Sequence, residues 1–229
     1  MPPFLSIPEW SGLPRLLHGF GTRGLSEAAL EILARDNGAA VVMLDQFHSA
    51  DVLSLDRVPS ERKRGDALVT DSPGLLLVVK TADCLPLFLF DEVRRIAAAV
   101  HAGWRGTAGM IARAAVESMG RRFGSRPEAL TAAFGPCIGP SCYEVGEDVV
   151  RAFARGGPPG SIFNPIPEKP GRFHLDLRAA NRAQLEGAGV LSRRIFSVAV
   201  CTHCEPGLLS WRRDRDSAAR LYNFIGLTV

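Results

Sequence analysis

Lys80 to Gly106 reads KTADCLPLFLFDEVRRIAAAVHAGWRG, and the pairing of its two apolar runs decides how the rest of the chain can be arranged. Leu85–Phe90 and Ile96–Val100 flank a charged turn at Asp91–Arg95. As strands of a hairpin they bring opposite ends together, so Cys84, just before the first run, and His101, just after the second, share one rim of a sheet. Both side chains can bind a soft or borderline metal. After His101 the chain reads AGWRG and then TAGMIARAAVESMGRRF. Met110, Ile111, Ala114, Ala115, Val116 and Met119 have helical spacing there, with Thr107 as the expected cap and Arg121 and Arg122 in the last turn. Gly103 and Gly106 permit close backbone approach, and the helix start near Thr107 is expected to offer free N–H groups to an anion.

Composition narrows the function classes. With 229 residues, 46% of them hydrophobic, the chain can build a real core. Its formal charge of +3 is spread along the sequence with no basic tract, which argues against a nucleic-acid binder. No apolar run approaches the roughly 20 residues that span a bilayer, and MPPFLSIPEW lacks the basic and apolar regions of a signal peptide. A cytoplasmic protein with no membrane partner is expected. Five cysteines, an odd number in a chain too large to need disulfide staples, point to reduced thiols or metal ligands.

Working outward, HGFGTRGL at His18–Leu25 reads as a strand entering a glycine-rich turn with Arg23 at its tip. A helix over Ser26–Arg35 follows, capped by Ser26. Val41–Leu55 alternates as an extended strand pair or one bent strand, and period two puts Gln46 and His48 on one face. Taken alone, His48 reads as a half-buried strand histidine. Further strands are expected at Asp66–Thr70, Leu75–Val79, Leu130–Phe134, Ile195–Val200 and Leu208–Trp211, and helices from Val145 to about Arg155 and over Asp176–Glu186. Gly156–Gly171, with five prolines, reads as a surface loop, and Ala218–Ile225 as a final helix or strand. There is no internal repeat and no low-complexity segment.

Two chemistries compete at Cys84 and His101: a metal site, or a cysteine nucleophile with its histidine base. A third motif, Cys201-x-x-Cys204 with His203 inside it, suggests a zinc ribbon, but such a site needs four ligands. The other close pair, Cys137 and Cys142, has a four-residue gap inside a Gly-Pro loop, so the ribbon is disfavoured. Glu205-Pro206-Gly207 argues for a turn, not the helix start of a thioredoxin-like centre.

Gln46-x-His48, TADCLP at Thr81–Pro86, HAGWRG at His101–Gly106, GPCIGPSCYEVG at Gly135–Gly146 and SWRRD at Ser210–Asp214 together resemble the YfiH-type laccase-domain family. That family is described both as polyphenol oxidases and as zinc-dependent purine nucleoside phosphorylases. The resemblance covers nearly the whole chain. It implies a single α/β domain, residues 1–229, of layered mixed sheets flanked by helices and related in fold to cysteine hydrolases. It also implies a metal held by His48, Cys84 and His101, reversing the reading of His48 taken alone. Zinc is the expected ion, with copper as the alternative, and a small-molecule nucleoside and phosphate are the expected partners. One thiolate and two neutral imidazoles would leave zinc one open position, as catalytic sites require. Arg105 and Arg23 are then candidates for the anion, Gln46 for the substrate, and Asp83 for orienting a ligand or moving a proton. The implied activity is purine nucleoside phosphorolysis of adenosine and inosine, with methylthioadenosine as a further candidate substrate and adenosine deamination as a side reaction; the alternatives are a copper-dependent polyphenol oxidase and a cysteine hydrolase using Cys84 and His101. A multicopper oxidase needs about ten histidines, and the chain has five. Two departures from the family touch the rim: Ser49 stands where glycine is usual, and the turn TRGLS is shortened.

Overall fold

Leu85–Asp91 and Ile96–Ala102 pair antiparallel, with Pro86 opposite His101 and Asp91 opposite Ile96. The computed structural model describes residues 1–154, 162–216 and 218–229. This hairpin forms the middle of a six-stranded sheet. Leu130–Phe134 and then Ile195–Ser197 extend it beyond the first strand, and Ala67–Thr70 and then Val52–Ser54 beyond the second.

The apolar runs are continuous because both faces of the hairpin are covered. Leu85, Leu87, Leu89, Ala98 and Val100 face the helices Ile111–Phe123 and Leu177–Gly187. Phe88, Phe90, Ala97 and Ala99 face a second sheet. That sheet has five strands in the order Phe4–Leu5, Leu16–Gly21, Leu221–Leu227, Leu75–Thr81 and Ala40–Met43. Its outer face packs on the helix Glu27–Asp36 through Leu30, Ala34, Val78 and Phe224. The layers are therefore helix, sheet, sheet, helix. Between the sheets Phe20 stacks on Phe88 with ring centroids 4.5 Å apart. A small third sheet of Glu144–Gly146, Arg172–Leu175 and Phe163–Pro165 lies to one side. Among the described residues no helix is long and apolar enough to cross a membrane.

Several local expectations need correction. Val41–Leu55 is neither one bent strand nor a strand pair in one sheet: the first strand stops at Met43, Asp45 makes a single bridge to Arg64, and the next strand, Val52–Ser54, belongs to the other sheet. The helix after HAGWRG is broken in two, Trp104–Ala108 and Ile111–Phe123, with Met110 left-handed between them. Thr107 is therefore inside the first piece, and its N–H is bonded to the Gly103 carbonyl at 2.8 Å, so no free N–H awaits an anion there. The break is bridged by Gln184, which donates to the Thr107 carbonyl at 2.7 Å and accepts from the Ala112 N–H at 3.2 Å. Val145 lies in a strand, and the helix begins at Glu147. Its expected end near Arg155 lies outside the described residues, as does the first part of the Gly156–Gly171 loop, while Phe163–Pro165 is a strand. Leu208–Trp211 is not a strand: Ser210 caps a short helix, Trp211–Asp214, by accepting from the Arg213 N–H. Leu221–Leu227 resolves the last segment as a strand.

The inter-sheet stack carries a clear cost for truncation. Phe88→Ala removes a fully buried ring facing Phe20, and urea titration should show a loss of about 3–5 kcal/mol.

Candidate functional site

Four segments meet where the hairpin rim opens to solvent. Cys84 precedes one hairpin strand, His101 is the next-to-last residue of its partner strand, His48 comes from the loop between Met43 and Val52, and Gly103 caps the short helix. One ligand atom each from His48, Cys84 and His101 lies within 4.8 Å of the others. The His48 and His101 rings meet edge to face with centroids 4.9 Å apart. Glycine at 103 leaves room for the cluster, because a Cβ would stand 3.0 Å from Cys84 Sγ and 2.9 Å from His48 Cδ2 and would push those side chains aside. A Cβ at Gly106 would stand 2.7 Å from the Ser49 carbonyl oxygen, so that glycine lets the helix pack against the His48 loop.

Asp66 organises this meeting point from below. Its buried carboxylate accepts the N–H groups of Phe47, His48 and Ser49 at 3.2, 3.0 and 2.7 Å, the Ser49 hydroxyl at 2.9 Å, and His101 Nδ1 at 2.7 Å. An ionised carboxylate only accepts, so Nδ1 carries the proton and Nε2 is left for the cluster. Held this way, His48 adopts a left-handed backbone with φ 64°, a conformation costing on the order of 1 kcal/mol or more outside glycine. It is an exposed loop residue, not the half-buried strand histidine that the local pattern suggests.

The electrostatics follow from these contacts. Burial alone would raise the Asp66 carboxyl, but the bonds from His101 and Ser49 outweigh it and take it down to about 2. Burial also opposes ionisation of Cys84; the His101 charge and hydrogen bonds from both histidines overcome it and lower the thiol to about 6. Against its own burial, His101 is raised to about 9 by the Cys84 thiolate and Asp66. Two imidazoles and a thiolate of this kind fit the donor preferences of a zinc-like ion.

Above the cluster lies a cleft of ≈ 720 Å³, within the range of small-molecule sites. Gln46, Asp83, Arg105 and the three clustered residues line it, as do Lys80, Tyr143, Arg212 and Arg220. The Arg105 guanidinium stacks over Trp104, 4.3 Å from the ring centroid. Gln46 is anchored: its amide donates to the Lys80 carbonyl and accepts from the Lys80 N–H, both at 2.8 Å. Asp83, also left-handed at φ 86°, accepts from the Thr202 hydroxyl at 2.6 Å and the Arg212 N–H at 2.7 Å. Arg23 is elsewhere. Its guanidinium pairs with Asp214 at 3.3 Å and with the Pro206 and Leu208 carbonyls, and it is not among the cleft residues.

Residues 26–228 match the family described as multi-copper polyphenol oxidoreductase laccase. The chain belongs to this laccase-domain, YfiH-type family. A protein of Shigella flexneri named purine nucleoside phosphorylase YfiH is 35% identical over 227 residues, 97% of this chain and 89% of that one. A Deinococcus radiodurans protein named purine nucleoside phosphorylase is 46% identical over 165 residues, 71% of this chain and 61% of its own length. A prokaryotic protein named adenosine deaminase RL5 is 41% identical over 176 residues, 72% of this chain and 66% of that one. Among solved structures, Bacillus licheniformis YfiH superposes with a TM-score of 0.89 at 31% identity, covering 100% of this chain and 97% of that one.

Within this YfiH-type site, sequence reasoning missed Asp66, Lys80, Arg212 and Arg220. Arg212 lies in the SWRRD motif and Lys80 directly before TADC, so both stood beside a signal; Asp66 offered only an acidic residue preceding a buried strand, and Arg220 offered none. Asp66→Ala would leave three N–H groups and His101 without their acceptor. Denaturant unfolding should register a loss of roughly 3–5 kcal/mol, the cost of breaking a buried charged pair, with Asp66→Asn losing less.

Proposed function

We propose that this chain is a metal-dependent purine nucleoside phosphorylase, with adenosine deamination as a side activity. The reading rests on one observation above all: His48, Cys84 and His101 converge on the floor of a cleft that Lys80, Arg105, Arg212 and Arg220 make cationic. A zinc ion held by the three would supply Lewis acidity toward a bound oxygen or nitrogen of the substrate. The names of the relatives support the same chemistry.

The protein's own groups have distinct tasks in this scheme. Asp66 keeps His101 in one tautomer and one orientation. Arg105, stiffened by Trp104, and the neighbouring cations hold phosphate. A phosphate oxygen then bonds to C1′ of the ribose, the C1′–N9 bond breaks, and the purine leaves with the electron pair and takes a proton. The products are free base and ribose 1-phosphate. Asp83, its carboxylate already accepting from Thr202 and Arg212, positions the 83–84 backbone beside the cleft. Of the five histidines only His48 and His101 line the cleft, too few for a multicopper cluster.

A second reading has its own support: Asp66, His101 and Cys84 also line up as orienting acid, base and thiol nucleophile. One experiment separates the two. Product chromatography with adenosine or inosine should show base release that depends on phosphate and yields ribose 1-phosphate. Equal release without phosphate would make the enzyme a hydrolase. Arg105→Ala should lower kcat/KM for phosphorolysis roughly ten- to hundred-fold, the worth of a charge-assisted hydrogen bond at about 1.5–3 kcal/mol.

Metal content provides an independent check. Cys84→Ala and His101→Ala should each remove one equivalent of zinc per chain by elemental analysis and abolish turnover, while chelation of the parent should do the same reversibly.

A further inference from the structure

Spacing disfavours Cys137 and Cys142 as a second ligand pair for the C-x2-C motif, but the fold brings one of them, Cys142, to Cys204 from 62 positions away. Cys142 closes the short 3-10 helix Pro140–Cys142, and its Sγ lies 3.4 Å from Cys204 Sγ. One ligand atom from each of Cys142, His203 and Cys204 falls within 4.8 Å of the other two. Cys201, three positions before Cys204 in the same turn, supplies a further sulfur beside them. Its Sγ accepts the Gly139 N–H at 3.1 Å, which ties that sulfur to the 139–142 segment carrying Cys142.

The arrangement is built into the fold. Arg213 reaches across the turn and donates to the carbonyls of Thr202, His203, Glu205 and Leu208 at 2.9, 3.0, 3.2 and 2.7 Å. With the carbonyls drawn to one side, the ligand side chains of the turn are left to Cys142. Gly139 permits the approach, since a Cβ there would already stand 3.3 Å from Cys201 Sγ. Cys142, Cys204 and His203 supply two sulfurs and an imidazole already gathered together, and Cys201 as fourth donor would complete the Cys3His set of closed zinc sites, in which Zn–S bonds of about 2.3 Å place sulfurs about 3.8 Å apart. A disulfide between Cys142 and Cys204 would use two of these donors and leave the other thiol and the imidazole without a role.

We propose that Cys142, Cys201, His203 and Cys204 form a second metal site, one that takes zinc or a similar borderline-soft divalent ion in closed tetrahedral coordination. The ion ties the 140–142 segment to the 201–204 turn. Both border the cleft: Tyr143, next to Cys142, lines it, and Thr202, inside the turn, holds the Asp83 carboxylate. The second ion is thus a clamp behind the reactive site. The assignment stands independently of the nucleoside reading.

Zinc titration of the reduced full-length chain against a chromophoric chelator tests it. The parent should bind one more equivalent than either Cys142→Ser or Cys204→Ser, and Cys84→Ser should keep the equivalent that those two lose. Cobalt(II) loaded into Cys84→Ser should give the intense thiolate charge-transfer band of a multi-thiolate tetrahedral site, lost when Cys204→Ser is added. Should circular dichroism show Cys204→Ser unfolded, His203→Ala, a half-buried position, takes its place and should lose the same equivalent. Unchanged stoichiometry in the cysteine variants, or a Cys142–Cys204 disulfide in peptide maps of the protein as purified, would overturn the proposal.

Discussion

The Asp66 carboxylate accepts from three consecutive backbone N–H groups, a hydroxyl and an imidazole, all while fully buried. A charge in that position is tolerable only because every lone-pair direction is answered, and it holds the His48 loop and the His101 ring in one arrangement. The Asp66 backbone takes part as well, its carbonyl accepting the His101 N–H at 2.7 Å. Loop and hairpin therefore register against each other through one residue. The left-handed backbone at His48 is the strain this anchoring sustains.

Ser49 gains a meaning from the same carboxylate. Its hydroxyl adds a donor to Asp66 and accepts the Asp51 N–H at 3.0 Å. A glycine at that position would supply the backbone N–H alone. The departure from the family pattern thus falls on the support of the site, with no loss of a candidate ligand.

The hairpin, its register and the convergence of Cys84 with His101 were legible because they follow from alternation and from the geometry of antiparallel neighbours. Leu87 and Phe88 point to opposite layers, as period two requires, and the run reads as uniformly apolar because both layers are dry. His48 was legible only through the family motif, since its local pattern suggested a strand. Asp66 was not, because its role depends on three N–H groups turned inward by a loop whose shape no periodicity encodes. Thr107 was misread for a related reason: the helix breaks at Met110, and the side chain of Gln184, 77 positions from Thr107, satisfies the break. Cys142 and Cys204 show the same limit, since contact between residues so distant in sequence is a property of topology.

The strand Leu221–Leu227 lies between Leu16–Gly21 and Leu75–Thr81 and bonds to both along its length. Until that segment is synthesised, those two strands present open edges, and the apolar face that should meet Phe88 and Phe90 is incomplete. Closure over so long a sequence separation is slow relative to local folding. A nascent or clipped chain lacking it would be a template for edge-to-edge association, so proteolytic loss of a few residues would be seen first as insolubility and only secondarily as lost chemistry.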